Sequence, residues 1–194
     1  GNRDQVFVFE RYKIYYDIRD VMEFVGSDRP DTQVPVTPEL KMHYIPTKKL
    51  RLAADKDRLV ENGTVKEELQ NQIVDVEWVL NRKSILKNEL MMIDILAANN
   101  WERPVYFAIS AATDSYIGLE EHLQLEGLAY RLVPLKSKNQ DGALGRVDTD
   151  ILYDNLMNKF KWGNINGDDF FMDENTRRQI NIMKIRSTFA RLGV

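Results

Sequence analysis

One segment restricts the fold more than any other. Over residues 84–99 the apolar residues Leu86, Leu90, Ile93, Leu96 and Ala97 recur at the spacing of a helix face, with Ser84 placed as an N-cap. Asn99 and Asn100 end that helix. Pro104, Val105, Tyr106, Phe107, Ala108 and Ile109 then read as a buried strand, with proline at its first position, where a missing N–H matters least. A long amphipathic helix that hands over to a strand needs a helix layer on a sheet layer. Beyond it the sequence predicts a short helix over 117–125, a break at Gly127 and a second strand over 128–135. Strand, short helix, strand is the pattern of a parallel crossover, which would be right-handed.

The rest of the chain fits this frame. Residues 5–9 read as a strand, and Asp17 caps a helix running through Val25. Pro30, Pro35 and Pro38 mark extended chain, and Pro46 puts 43–52 on a sheet edge. Asn62-Gly63 is a turn, after which Thr64 to Glu67 fits a capping box that opens a helix. Residues 74–80 fit both periods and are read as a strand, and Asp148 or Thr149 caps a helix over 150–160. The expected fold is α/β, a small mixed sheet of about four to six strands with packed helices. Its core is expected from Leu90, Ile93, Leu96, Val105, Phe107, Leu128 and Leu132. A single domain would cover 1–172. Residues 173–194 would begin a helical, repeat-like region, with Asp173 as N-cap and Ile182, Ile185, Phe189 and Leu192 spaced as a stripe.

Composition removes whole classes of function. The chain has no cysteine, so disulfides, thiolate metal sites and Cys nucleophiles are excluded. No apolar run approaches the roughly 20 residues that cross a bilayer. With 27 basic and 30 acidic residues, net charge −3, nothing calls for nucleic acid. No phosphate-loop, dinucleotide, nucleophile-elbow or zincin motif occurs, and no cofactor or metal is expected. His43 and His122 are far apart and read as structural, with Glu120 and Glu121 expected to raise the proton affinity of His122. Asp168, Asp169, Asp173 and Glu174 lack the spacing of a calcium loop.

What remains is a polar-aromatic corner. Asn99, Asn100, Trp101 and Arg103 sit where helix meets strand, and an indole beside amides and a guanidinium can stack a sugar face or hold a peptide. Tyr130, Arg131 and Trp162 are candidates for a second wall. The competing account buries Trp101 in the core and gives Arg103 an internal partner.

The order of blocks carries a resemblance. Tyr16-Asp17-Ile18-Arg19-Asp20-Val21-Met22-Glu23-Phe24-Val25 is followed by Ile45-Pro46-Thr47-Lys48-Lys49-Leu50-Arg51-Leu52 and Asn62-Gly63-Thr64-Val65. Then come Lys87-Asn88-Glu89-Leu90-Met91, Asp94-Ile95-Leu96-Ala97 and the run from Asn99 to Ile109. Leu119-Glu120-Glu121, the run from Gln124 to Pro134 and the run from Tyr153 to Asn164 complete the series. From about Asp4 to Leu192 the chain resembles the soluble C-terminal region of a family of bacterial multi-pass membrane proteins of unknown function. That family's membrane part looks like the GT-C glycosyltransferases and is related to transmembrane protein O-mannosyltransferases.

The resemblance implies a fragment, with membrane helices before Gly1 and a tetratricopeptide-like region after Val194. It implies a place on the periplasmic side of the inner membrane. No catalytic residue carries over, because the catalytic acids of such enzymes lie between membrane helices. The expected role is a non-catalytic domain that positions an acceptor polypeptide or braces the membrane part. Its partners would be the rest of its own membrane-embedded chain and an exported polypeptide or glycan. The rivals are a glycan hydrolase with paired carboxylates and a purely structural linker.

Overall fold

The computed structural model describes residues 5–38, 40–137, 143–163, 167–178 and 184–193. They divide into two compact units, one of Gly1–Pro104 with Asp114–Leu119, the other of Val105–Thr113 with Glu120–Val194. Each is mixed α/β. The sequence carries no punctuation at the boundary, because the chain passes between the units more than once.

In the first unit β1 (Gln5–Val8) lies at the centre of a four-stranded sheet ordered β3-β4-β1-β7, with β3 at Gln33–Pro35, β4 at Lys41–Ile45 and β7 at Ser84–Leu86. β4 runs parallel to β1 and β7 antiparallel. A three-stranded sheet, β2-β5-β6, is built from Tyr16–Asp17, Lys49–Leu52 and Val76–Val79. The expected single strand over 43–52 is therefore two strands in two sheets. Proline at 46 cannot donate to a ladder, so pairing stops there, and Thr47 accepts the Lys49 N–H at 3.1 Å to start the next strand.

Helix α1 (Ile18–Gly26) starts as expected at Asp17, whose carboxylate accepts the Arg19 N–H at 2.9 Å and also binds the Arg19 guanidinium. That guanidinium holds the Asp17 carboxyl below its ordinary range. Ile18, Val21 and Val25 are its buried stripe. α2 (Lys56–Glu61) is short, and the capping-box segment beyond Asn62-Gly63 forms only a 3₁₀ turn, Glu67–Gln72. Helix α3 (Lys87–Asn99) begins three residues after Ser84, the expected cap. Residues Ser84–Leu86 instead pair with β1, and Glu89 closes the helix start by accepting the Leu86 N–H at 2.7 Å while holding Arg82. Pairing with β1 keeps Ser84 extended in a strand, and Glu89 takes the Leu86 N–H that a Ser84 cap would have bound. The other end matches the sequence reading: Asn100 is left-handed, with φ 39°, and its N–H reaches the Leu96 carbonyl at 3.1 Å.

In the second unit β8 (Tyr106–Ala108), β9 (Leu123–Leu125), β10 (Ala129–Leu132) and β11 (Arg146–Val147) form a sheet ordered β11-β9-β10-β8. The expected parallel crossover is not there. β8 and β10 are antiparallel neighbours, and 117–125 holds a 3₁₀ turn, Glu120–His122, and then β9 rather than a helix. Leu119 and Leu123 mimic a helical spacing, but Leu123 and Leu125 belong to a strand. A tight reversal decides the topology: the Glu126 N–H bonds the Ala129 carbonyl at 3.0 Å, with Gly127 at φ +104° between them. Asp148 caps α4 (Thr149–Asp154), and the helix continues with a wider turn over Asn155–Lys159. Near the end, Asp173 caps α5 (Glu174–Thr176), and α6 (Arg186–Ala190) carries Phe189 toward a cluster of Ile109, Leu125, Leu152 and Leu156. Ile182 of the expected stripe lies outside the described residues.

Ile93, Leu96, Phe107 and Leu132 are buried, as expected. Leu90, Val105 and Leu128 are only partly buried. Leu128 is in the reversal after β9, Val105 precedes β8, and Leu90 looks into a cleft.

Candidate functional site

The corner after α3 is held both by bonds within the turn and by bonds to distant parts of the chain. The Asn99 side chain accepts the Arg103 N–H at 3.1 Å and donates to the Arg103 carbonyl at 2.8 Å. The Trp101 indole N–H donates to the Ala53 carbonyl at 2.7 Å, and the Asn62 amide donates to the Trp101 carbonyl at 3.0 Å. Trp101 is 7% exposed, while Arg103 is exposed. Asn100 and Trp101, with φ 39° and 65°, are both left-handed and turn the chain. The indole and both of the Asn99 polar groups therefore hold the corner together.

Tyr130, Arg131 and Trp162 belong to the second unit. Trp162 donates to the Leu156 carbonyl at 3.1 Å and packs beside Phe160 and Phe189, and Tyr130 lies against the same apolar cluster. Arg131 points to the other side of its strand, where a network absent from the sequence reading is found. The sheet register sets Arg146, Gln124, Arg131 and Tyr106 in one row across the strands. Glu126, 5% exposed, accepts from Gln124 at 2.7 Å and from the Tyr106 hydroxyl at 2.9 Å, with Arg131 at 3.7 Å. Burial, then the Glu126 charge, pushes the Tyr106 phenol up, and burial pulls Arg146 down. The alternation Leu123-Gln124-Leu125-Glu126 is the signal that could have shown a polar sheet face.

A glycan hydrolase needs two carboxylates across a cleft. The most buried acids here are committed elsewhere: Glu126 to this network, Glu89 to Arg82 and the start of α3, Asp17 and Asp148 to helix caps. Among the described residues no group of three His, Asp or Glu side chains converges as a metal site. His122 departs from its expected behaviour. It is 1% exposed, neither ring nitrogen has a hydrogen-bond partner among the described residues, and burial lowers its pKa to about 4. Desolvation outweighs the neighbouring Glu121 charge.

The first unit carries a cleft of about 510 Å³. α1 contributes Met22 and Val25, α3 contributes Leu90 and Met91, and Val6 of β1 and Met42 of β4 complete an apolar lining. Gln5, Lys41, His43, Lys87 and Asp94 supply the polar groups. The Gln33 amide lies 3.3 Å from His43 Nε2, while His43 Nδ1 is buried without a partner among the described residues. Met91 is 59% exposed. Its apolar lining is bounded by two cations, Lys41 and Lys87, and one anion, Asp94. Unbranched, polarizable methionines adapt to differently shaped apolar groups. Sequence reasoning missed the cleft because Leu90 read there as helix core.

The family model that matches is TMEM260-associated domain 2, over residues 1–151. The chain belongs to this family. The match takes in the first unit and the strands of the second, and ends within α4. It supports the coarse part of the resemblance, a domain associated with a membrane-protein family. No curated protein and no solved structure matches the chain. Among the described residues no helix is long and apolar enough to cross a membrane.

Proposed function

We propose that the chain is a non-catalytic extramembrane domain of a membrane-bound glycosyltransferase-like protein, and that its first unit holds an apolar stretch of the acceptor polypeptide. The observation that carries the binding role is the methionine-lined cleft, formed by side chains from two helices and two strands. An adaptable apolar lining suits polypeptides of varied sequence better than one defined small molecule. Lys41 and Lys87 would favour acidic residues flanking that stretch. Family membership supports the association with a membrane protein. The GT-C and O-mannosyltransferase relation, the periplasmic location and a tetratricopeptide-like continuation rest on the sequence blocks alone.

The test is titration of the chain with an apolar decapeptide flanked by Asp, against a Gly-Ser peptide of equal charge. Selective binding of the apolar peptide is expected, weakened about tenfold by Met91→Glu, with an unchanged melting temperature because Met91 is exposed. Equal binding of both peptides, or no effect of Met91→Glu, refutes the reading.

A further inference from the structure

The segment from Phe9 to Tyr15 leaves the first sheet between β1 and β2 and combines two properties that rarely coincide. It is pinned: the Phe9 N–H bonds the Ile45 carbonyl at 2.9 Å, the Arg11 N–H bonds the Pro46 carbonyl at 3.1 Å, and the Lys49 ammonium bonds the Lys13 carbonyl at 2.8 Å. Rings and cations interleave around it. The Arg11 guanidinium lies 4.5 Å from the Tyr44 ring centre, Lys49 lies 5.7 Å from that of Tyr15, and the Tyr12 and Tyr16 rings meet at 4.8 Å, tilted by 40°. Yet it is open to water. Ile14 is 65% exposed and Tyr12 42%, with Phe7 and Phe9 also exposed.

We propose that this loop seats the domain on the headgroup layer of an anionic bilayer. Resting on the reading above, the proposal names the face that meets the membrane. Tyrosine is suited to that layer because one end is apolar and the other wet. Ile14 is the side chain that reaches toward the acyl boundary, and Arg11, Lys13 and Lys49 complement lipid phosphates. The loop's acid, Glu10, is already paired with Lys48 at 3.8 Å, so it subtracts little from the local positive field. A held loop also loses little conformational freedom on docking.

The experiment is flotation of the 194-residue chain with vesicles of equal parts phosphatidylcholine and phosphatidylglycerol, and with pure phosphatidylcholine. Binding is expected to the anionic vesicles and to weaken with salt. Ile14→Asp should weaken it about tenfold and Lys13→Ser about fivefold, with melting temperatures unchanged. Ile14→Ser serves as a second variant should Ile14→Asp fold poorly. No binding to anionic vesicles, equal binding to both compositions, or full binding by the Ile14 variants overturns the proposal; the first outcome would make the loop a contact for protein. The loop shares no residue with the cleft. Lost vesicle binding with intact peptide binding would therefore overturn this inference alone, and the reverse result would overturn only the reading of the cleft.

Discussion

Replacing Trp101 separates the two accounts of the α3 corner. The indole is nearly buried, and its N–H meets the Ala53 carbonyl at 2.7 Å. Trp101→Phe keeps most of the ring and deletes the donor, leaving a part-buried carbonyl unpaired, which costs about 1–3 kcal/mol. Trp101→Ala adds a cavity and should cost about 3–5 kcal/mol. For a chain of this length 1 kcal/mol moves the melting temperature by roughly 2–4 °C. Trp101→Ala should therefore melt roughly 6–20 °C lower, with Trp101→Phe between it and the parent. The assay is thermal and urea unfolding followed by circular dichroism, beside peptide titration of the folded variants. A melting temperature within about 2 °C of the parent, below the 2–4 °C that 1 kcal/mol produces, together with lost ligand binding would refute the structural account. The indole would then be a binding group.

His122 should make stability fall in acid. Its pKa is about 4 when folded and near 6.5 when unfolded, so its contribution is complete above pH 6.5 and lost as pH falls from 6.5 toward 4. The loss is on the order of 3 kcal/mol, and His122→Leu should flatten the urea midpoint between pH 6.5 and 4.5, whereas an unchanged slope would show the ring is not buried neutral. Gly127→Ala should destabilise by at least about 1 kcal/mol, since a Cβ there would sit 2.5 Å from Phe160 Cζ at φ +104°. Phe160→Leu should relieve part of that loss, and additive effects of the two changes would count against the contact.

The residues that stop and start helices were legible because their partners are near in sequence. Asp17 caps α1, and Asn99-Asn100 ends α3, through bonds made within a few residues. Ser84 misled the reading for the opposite reason: its partner is β1, about eighty residues away in sequence. The parallel crossover failed on the same ground, because spacing around Leu119 and Leu123 says nothing about which strand lies alongside. The helix-to-strand corner at Asn99–Arg103 was legible in the sequence, whereas the partner of the Trp101 indole, the Ala53 carbonyl 48 residues away, was not.

By itself the sequence determined a Cys-free α/β chain with a dominant α3, strands at β1 and β8, and the blocks that carry a membrane-protein family. Those features depend on periodicity and local hydrogen bonding, which every residue reports. The tertiary structure alone decided the division into two units, the antiparallel β8–β10 pair, the Glu126 network and the cleft. Met22, Met42 and Met91 would look the same in sequence if they filled a core. They line a cleft among α1, α3, β1 and β4, and the placement of those elements is set by long-range packing rather than by any local pattern.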